Sequence, residues 1–161
     1  MPAFSKSEFF RRTLPAGAVV RLLANLVRAR RAGEARELDF MPWGGAYNRL
    51  PIDATAFPHR RERFLLKHTV SLRPHASREQ TQAARRWLAR SWNVTHPYGS
   101  GGVYANFLDP ELSDPARAYY GSNLDRLQVV KRNYDPDGVF HSGPAGSLLG
   151  PEVRTGWRTR S

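Results

Sequence analysis

The run from Phe64 to Leu72 constrains the fold of this chain more than any other feature. It reads FLLKHTVSL, and its apolar content and length are typical of a β-strand. Side chains of a strand alternate between the two faces of a sheet, so the run predicts two sets of neighbours. The sets are Leu66, His68, Val70 and Leu72 on one face, and Leu65, Lys67, Thr69 and Ser71 on the other.

Two helical patterns flank this strand. Apolar residues recur at helical spacing over 15–31, with Pro15 in the first turn and Gly33 as a stop. A second pattern covers 78–92, where Ser77 and Gln80 have the spacing of a capping box. Both helices are amphipathic, and we expect their apolar faces to lie on a sheet.

Further extended segments supply the rest of the sheet. Residues 4–10 are expected to be extended, 37–41 alternate as a strand does, and 46–50 are a candidate short strand. Residues 103–108 are predicted as a strand as well. Asp114 and Pro115 then begin a short helix that ends near Gly121, and a last helix ends at 135–138.

This order of elements predicts an α+β fold, an antiparallel sheet with helices packed on one face, plus a C-terminal helical segment. The other face of such a sheet can stay open. We expect that open face to carry Leu and Val side chains and to cover something else. We divide the chain into a partial α+β domain at 1–103, a C-terminal segment at 104–142 and a disordered tail at 143–161, which has no periodicity.

Length and composition narrow the classes of protein. A chain of 161 residues suits one domain, and the absence of cysteine excludes disulfides, thiol nucleophiles and cysteine-ligated metals. No apolar run approaches the ~20 residues of a membrane span. No secretory signal follows Met1, so the expected location is cytoplasmic.

The chain is strongly basic, with 25 lysines and arginines against 14 acids and a net charge of +11. Such a balance permits binding of nucleic acid or another polyanion. The arginines are spread through helices, loops and tail instead of forming one stripe. Solvated helix faces explain them better than a dedicated site.

Few residues indicate chemistry by themselves. Gly99–Gly102 lacks the helix that follows a phosphate-binding loop, and no helix carries metal-ligand or paired-carboxylate spacing. Four of the five histidines lie beside turns, prolines or arginines and are expected at the surface. His68 lies in mid-strand and is expected on a face of the sheet. Tyr104 and Asn106 are expected on the same side of their strand, as a polar pair.

Several motifs together resemble one known family. They are Lys6-Ser7, Gly44-Gly45, the segment DATAFPHR at 53–60, the sequence YANF at 104–107, and the segment from Tyr119 to Phe140 that contains YYGSNLDRL and YDPDGVF. Their order and spacing resemble the C-terminal, substrate-side portion of the berberine bridge enzyme-like FAD-linked oxidases.

The resemblance implies an FAD-dependent oxidoreductase in which substrate C–H hydride passes to flavin, a protein base removes a proton and oxygen or another acceptor reoxidises the flavin. The FAD-binding module of that family is missing from this chain. A separate FAD-binding chain and an unknown small molecule are therefore the implied partners.

The resemblance also assigns roles to individual residues. Tyr104 and Asn106 match positions that approach the flavin, so they are the expected cofactor-binding residues. Phe107 stands where several family members have a tyrosine proposed as base, and Leu66 stands near a position that carries Glu or Gln. His68 is the remaining candidate for the catalytic base, because a histidine can accept a proton near neutral pH.

Three functions stay open at this point. The chain is the substrate-side part of a split FAD-linked oxidase, an inactive truncated remnant with an exposed apolar patch, or a basic module that binds a polyanion. Retention of flavin with a partner distinguishes the first, and steep salt dependence of binding distinguishes the third.

Overall fold

The structure is a computed structural model, and it describes residues 2–140. Its centre is a sheet of three strands, β1 (Ala3–Phe10), β2 (Glu34–Pro42) and β3 (Phe64–Leu72). The central strand β3 has the predicted bounds. It pairs with β1 on one side and β2 on the other, and both pairings are antiparallel. The predicted tail at 143–161 lies outside the described residues.

Two helices cover one face of this sheet. They are α1 (Ala16–Val27) and α2 (Arg78–Thr95). Val70 and Leu72 of β3 pack with Trp87 and Leu88 of α2, and each of these side chains is at most 4% exposed. Leu66 packs beside them with Phe10 and Leu22. The predicted α+β class, with an antiparallel sheet and helices on one face, is therefore confirmed.

The ends of both helices have local causes. The predicted capping box of α2 is present, because Ser77 and Gln80 exchange hydrogen bonds of 3.1 and 2.8 Å. Helix α1 ends four residues earlier than predicted. The Arg36 guanidinium donates to the carbonyl oxygens of Asn25, Leu26 and Arg28, at 2.8–3.2 Å, and so satisfies groups that an α-helix leaves free at its C-terminus.

Two predicted strands are wrong. Residues 45–49 form a 3₁₀ turn that begins at Gly45, whose φ of +73° suits glycine and not an extended strand. Residues 103–108 are a turn, in which the Phe107 N–H donates to the Tyr104 carbonyl at 2.9 Å. Val103 donates its N–H to Ala118 O at 2.9 Å, so this segment is held by a helix and not by the sheet.

The C-terminal part of the described chain is helical, as predicted. Asp114 caps α3 (Pro115–Tyr120), its carboxylate accepting the Arg117 N–H at 3.1 Å. A short 3₁₀ turn at Gly121–Asn123 leads into α4 (Leu124–Tyr134). Among residues 2–140, no helix has both the length and the apolar character needed to cross a membrane.

The expectation of a Leu- and Val-bearing open face is wrong. Leu66, Val70 and Leu72 all point under α2, and the open side of β3 presents Lys67, Thr69 and Ser71 instead. Leu65 alone is apolar on that side of the strand, and it is fully buried. The alternation was predicted, but the helices cover the more apolar of the two sets because that burial removes more apolar surface from water.

Candidate functional site

The open face of the sheet is where a polar ligand can meet the strands. Its register places Ser7 of β1 and Asp39 of β2 directly opposite Lys67 on either side. Directly opposed side chains of antiparallel strands share a face, so these three groups lie in one row across the sheet. The sequence predicted the alternation of Lys67, but no motif singled it out.

The turn at Tyr104–Phe107 lies over this row. Lys67 Nζ is 4.3 Å from the centroid of the Phe107 ring, a cation–π distance. Asn106 donates its side-chain amide to the Tyr104 hydroxyl at 3.0 Å. The predicted pair of Tyr104 and Asn106 is therefore brought together, although a turn and not a strand does so. Tyr104 is half-buried and Asn106 is exposed.

An aromatic cluster, defined here as Phe9, Trp43, Phe57 and Tyr104, closes one end of the open face. The Tyr104 ring lies 5.2 Å from Trp43, 6.1 Å from Phe57 and 6.2 Å from Phe9, always edge to face. Such edge-to-face contacts hold rings in a preferred orientation. The phenol of Tyr104 is thus fixed at the border between the cluster and the polar row.

Several polar groups of the open face have no hydrogen-bond or ion-pair partner within the described residues. Within residues 2–140, no carboxylate lies within ion-pair distance of Lys67 and no hydrogen bond reaches its ammonium group. The hydroxyls of Ser7 and Thr69 are buried without a hydrogen-bond partner in the same part of the chain. Unpaired polar groups of this kind are uncommon in a native fold, and they are a reason to look for a ligand at this face.

His68, the predicted catalytic base, lies on the opposite side of the sheet. It is fully buried beneath α2, where Nδ1 is 2.9 Å from Ser91 Oγ and Nε2 is 3.4 Å from Thr95 Oγ1. Burial lowers its pKa from 6.5 to about 4, so the ring is neutral near pH 7. Leu66, the other position that the resemblance singled out on this strand, is also in this core. The role of His68 as a base stays a prediction, and its burial argues against it.

His59 was expected at the surface, and this expectation is wrong. The residue is 7% exposed, its ring centroid lies 4.8 Å from that of Phe9 with the planes tilted by 32°, and its Nε2 is 3.1 Å from the Tyr119 carbonyl oxygen. Desolvation lowers its pKa to about 4. No sequence signal marks this burial, because residues from three distant segments enclose the ring.

Two of the motifs recognised in the sequence bind each other. Asn123, in the YYGSN segment, donates its amide to the carbonyl oxygens of Ile52 and Thr55 at 2.8 and 2.9 Å. Arg126 donates to the Asp53 carbonyl at 3.0 Å. The start of the motif at 53–60 is therefore held in place by the C-terminal helical segment.

A cavity of about 850 Å³ lies behind the turn, between α2 and α3. Glu8, Trp92 and His96 line it, whereas Tyr104, Asn106 and Lys67 do not. The two ionisable groups Glu8 and His96 are already paired with each other, with His96 Nδ1 3.0 Å from Glu8 Oε2. The open face, with its unpaired groups, is therefore the better candidate site.

Comparison with known proteins assigns the fold and the motifs to one family. The family described as "Berberine and berberine like" matches residues 103–144, which include Tyr104, Asn106 and α4. An uncharacterised FAD-linked oxidoreductase of Bacillus subtilis, YvdP, is 35% identical over 101 residues, covering 63% of this chain and 22% of that protein. Berberine bridge enzyme-like 12 of Arabidopsis thaliana is 28% identical over 92% of this chain.

This chain resembles the C-terminal portion of the berberine bridge enzyme-like FAD-linked oxidases. Among solved structures, berberine bridge enzyme from Eschscholzia californica superposes on 89% of the chain with a TM-score of 0.75 and 22% identity, which establishes the shared fold. The chain covers only 22% to 32% of the length of these three relatives. These relatives are named as an FAD-linked oxidoreductase, a berberine bridge enzyme-like protein and a berberine bridge enzyme.

The described residues fit one edge of a flavin site and not a whole one. A Cβ on Gly99 would lie 2.1 Å from the Glu8 carboxyl group, and one on Gly102 would lie 2.5 Å from His59. These glycines therefore serve the packing of the chain itself, and they form no phosphate cradle. The exposed amide of Asn106 and the hydroxyl of Tyr104 suit hydrogen bonds to the polar edge of a planar ring.

Proposed function

We propose that this chain forms the substrate side of an FAD-dependent oxidoreductase, with FAD held mainly by a separate FAD-binding part. The observation that carries the proposal is the Tyr104–Phe107 turn, which lies within the segment matched to the family and over an open sheet face with unpaired polar groups. FAD, when bound, would supply the hydride acceptor for a substrate C–H bond.

In this proposal Tyr104 and Asn106 orient the cofactor and the substrate. Asn106 donates to the Tyr104 hydroxyl, which leaves the phenolic hydrogen of Tyr104 free to donate to a ligand. Because the ring is held by Trp43, Phe57 and Phe9, that donor has a fixed direction. Preorganised donors of this kind lower the cost of binding and of charge development.

Lys67 has a second role in the proposal. Its ammonium group is half-buried over Phe107 and has no carboxylate partner in residues 2–140, so it attracts an oxygen-rich or anionic group of a ligand. Phe107 cannot accept a proton and serves as an apolar floor. Proton removal then falls to solvent or to a group outside this chain, because His68 faces the helices.

The test uses the purified chain with excess FAD, alone and mixed with an FAD-binding module from a berberine bridge enzyme-like relative. Flavin absorbance that stays with protein after gel filtration is measured. We expect retention to be greater in the mixture than in the sum of its separate parts. Equal retention with and without this chain would contradict the proposal.

Variants then locate the contact. We expect Asn106→Ala and Lys67→Met to reduce retention in the mixture by about tenfold, as the loss of one or two polar contacts suggests. Tyr98→Phe, an exposed tyrosine in the 3₁₀ turn at His96–Tyr98, is the control and should leave retention unchanged. Equal loss in all three variants would show that the open face is not the contact.

A further inference from the structure

The first strand carries two buried ionisable side chains on the side away from the candidate site. Lys6 and Glu8 both point to the helix-covered side of β1 and are 8% and 2% exposed. Charged side chains are seldom buried this deeply without a specific set of partners. Their partners lie in the segment that contains the Tyr104–Phe107 turn or next to it.

Glu8 binds the segment just before the turn. Its carboxylate accepts the Gly101 N–H at 3.2 Å and two contacts from His96 Nδ1 at 3.0 and 3.1 Å. The neighbouring backbone adds two further bonds, from Phe9 N to Gly102 O and from Ser100 N to Phe9 O. Gly99 has no room for a Cβ against the Glu8 carboxyl group, so this loop fits closely around it.

Lys6 binds the segment just after the turn. Its ammonium group donates to both Asp109 oxygens at 2.9 and 3.2 Å and lies 3.0 Å from Glu111 Oε2. Asp109 is itself 6% exposed, and its N–H donates to the buried Tyr119 hydroxyl at 2.8 Å. The hydrogen bond to Lys6 lowers the pKa of Glu111, which keeps this carboxylate charged.

The two anchors therefore bracket the turn in the sequence. One anchor is at Gly101, three residues before Tyr104, and the other is at Asp109, three residues after Asn106. Between them the turn is held by contacts of its own aromatic rings. A short loop fixed at both ends has little conformational freedom left, and its side chains keep one direction.

We propose that Lys6 and Glu8 are positioning residues, which fix the Tyr104–Asn106 pair over the open face by anchoring both ends of the turn from behind the sheet. The inference rests on the proposed function for its catalytic meaning. Its structural content can be tested without flavin, so the two can fail separately.

The test follows the Asn106 side-chain amide by NMR in the full chain labelled with ¹⁵N. That amide donates to the Tyr104 hydroxyl, so its chemical shift and hydrogen exchange report the geometry of the pair. We expect Glu8→Ala and Lys6→Met to speed exchange of this amide at least tenfold, while backbone amides of α2 stay protected. Glu8→Gln, which can still accept the Gly101 N–H, should restore most of the protection.

The control is a buried ion pair at the other end of the sheet. Glu34 and Arg36 are joined at 2.5 Å, and their side chains are 3% and 4% exposed. Glu34→Ala should destabilise the fold to a similar degree and leave the Asn106 signal unchanged. The same Asn106 change in Glu34→Ala, or no change in Glu8→Ala and Lys6→Met, would overturn the proposal.

A milder variant covers the case in which Glu8→Ala or Lys6→Met fails to fold. Asp109→Asn removes the more buried of the two carboxylate charges that Lys6 faces and keeps the shape of the side chain. We expect it to shift the Asn106 amide while α2 remains protected. An unshifted Asn106 amide in a folded Asp109→Asn protein would contradict the anchoring role of Lys6.

Discussion

The two faces of the same three strands differ in almost every physical property. The face under α1 and α2 buries a core of large apolar side chains, and its polar group at the centre, His68, has hydrogen-bond partners on both ring nitrogens. The open face has an ammonium group without an anion and two hydroxyls without partners among residues 2–140. The central polar group of the covered face is paired within the chain, whereas these groups of the open face are not.

This difference separates stability from function within a single strand. Successive residues of β3 alternate between the two roles, so neighbours such as Leu66 and Lys67 should respond in opposite ways to substitution. The expected apolar open face of the sheet is absent from β3, because the residues that this strand leaves partly exposed there are Lys67, Thr69 and Ser71. Aggregation through that face is therefore not the expected behaviour of the isolated chain.

The largest effect is expected from Leu66→Ala on the covered face. The side chain is fully buried with Phe10 and Leu22, so truncation leaves a cavity and should lower the free energy of unfolding by about 2–5 kcal/mol. Denaturant unfolding followed by circular dichroism measures it. Lys67→Met, the next residue on the open face, is the control and should change stability by less than about 0.5 kcal/mol. Similar losses in both would break the comparison.

The next effect is acid destabilisation through the two buried histidines. The pKa of His59 and that of His68 are both lowered to about 4, below the unfolded value of 6.5. Each contributes stability that is complete above pH 6.5 and is lost as the pH falls towards 4. The difference of 2.5 pKa units corresponds to about 3 kcal/mol per histidine.

Unfolding free energies measured from pH 7 to pH 4 test this prediction. In His68→Gln, which keeps a polar group near Ser91 but cannot titrate, the slope with pH should be shallower than in the parent chain. His75→Gln is the control, because His75 is exposed. An unchanged slope in His68→Gln would mean that His68 is not kept neutral by burial.

The smallest effect is expected on the open face itself. The Thr69 hydroxyl is buried without a hydrogen-bond partner in the described part of the chain. Thr69→Val removes that group at nearly constant shape and should raise the free energy of unfolding by up to about 1 kcal/mol. Thr69→Ser, which keeps the hydroxyl, serves as the control. A loss of stability in Thr69→Val would indicate that the hydroxyl has a partner after all.

Local pattern was enough for the strand β3, for the capping box at Ser77 and for the Asp114 cap, because each depends on residues close in the sequence. Local pattern failed where a distant group intervened. Helix α1 ends at Val27, where the Arg36 guanidinium donates hydrogen bonds to the last carbonyl groups of the helix. The segment at 103–108 is a turn because Ala118 and the aromatic cluster hold it, and no alternation of residues reveals this.

The candidate site shows the same division. Tyr104 and Asn106 could be singled out through their motif, and their hydrogen bond agrees with the expected polar pair, while their cofactor-binding role stays a prediction. Lys67 could have been found from the alternation of β3, once the covered face was known. The burial of His59, Lys6 and Glu8 could not be predicted, because their environments are assembled from segments 60 to 103 residues apart.

The sequence by itself determined the alternating central strand, the amphipathic helices, the helix caps and the family motifs, since periodicity and short-range hydrogen bonds are written in neighbouring residues. The tertiary structure alone decided which face of β3 is covered, where the Tyr104–Phe107 turn lies and which charges are buried. Burial is a collective property of the whole chain, because a side chain loses its water only when distant segments meet around it.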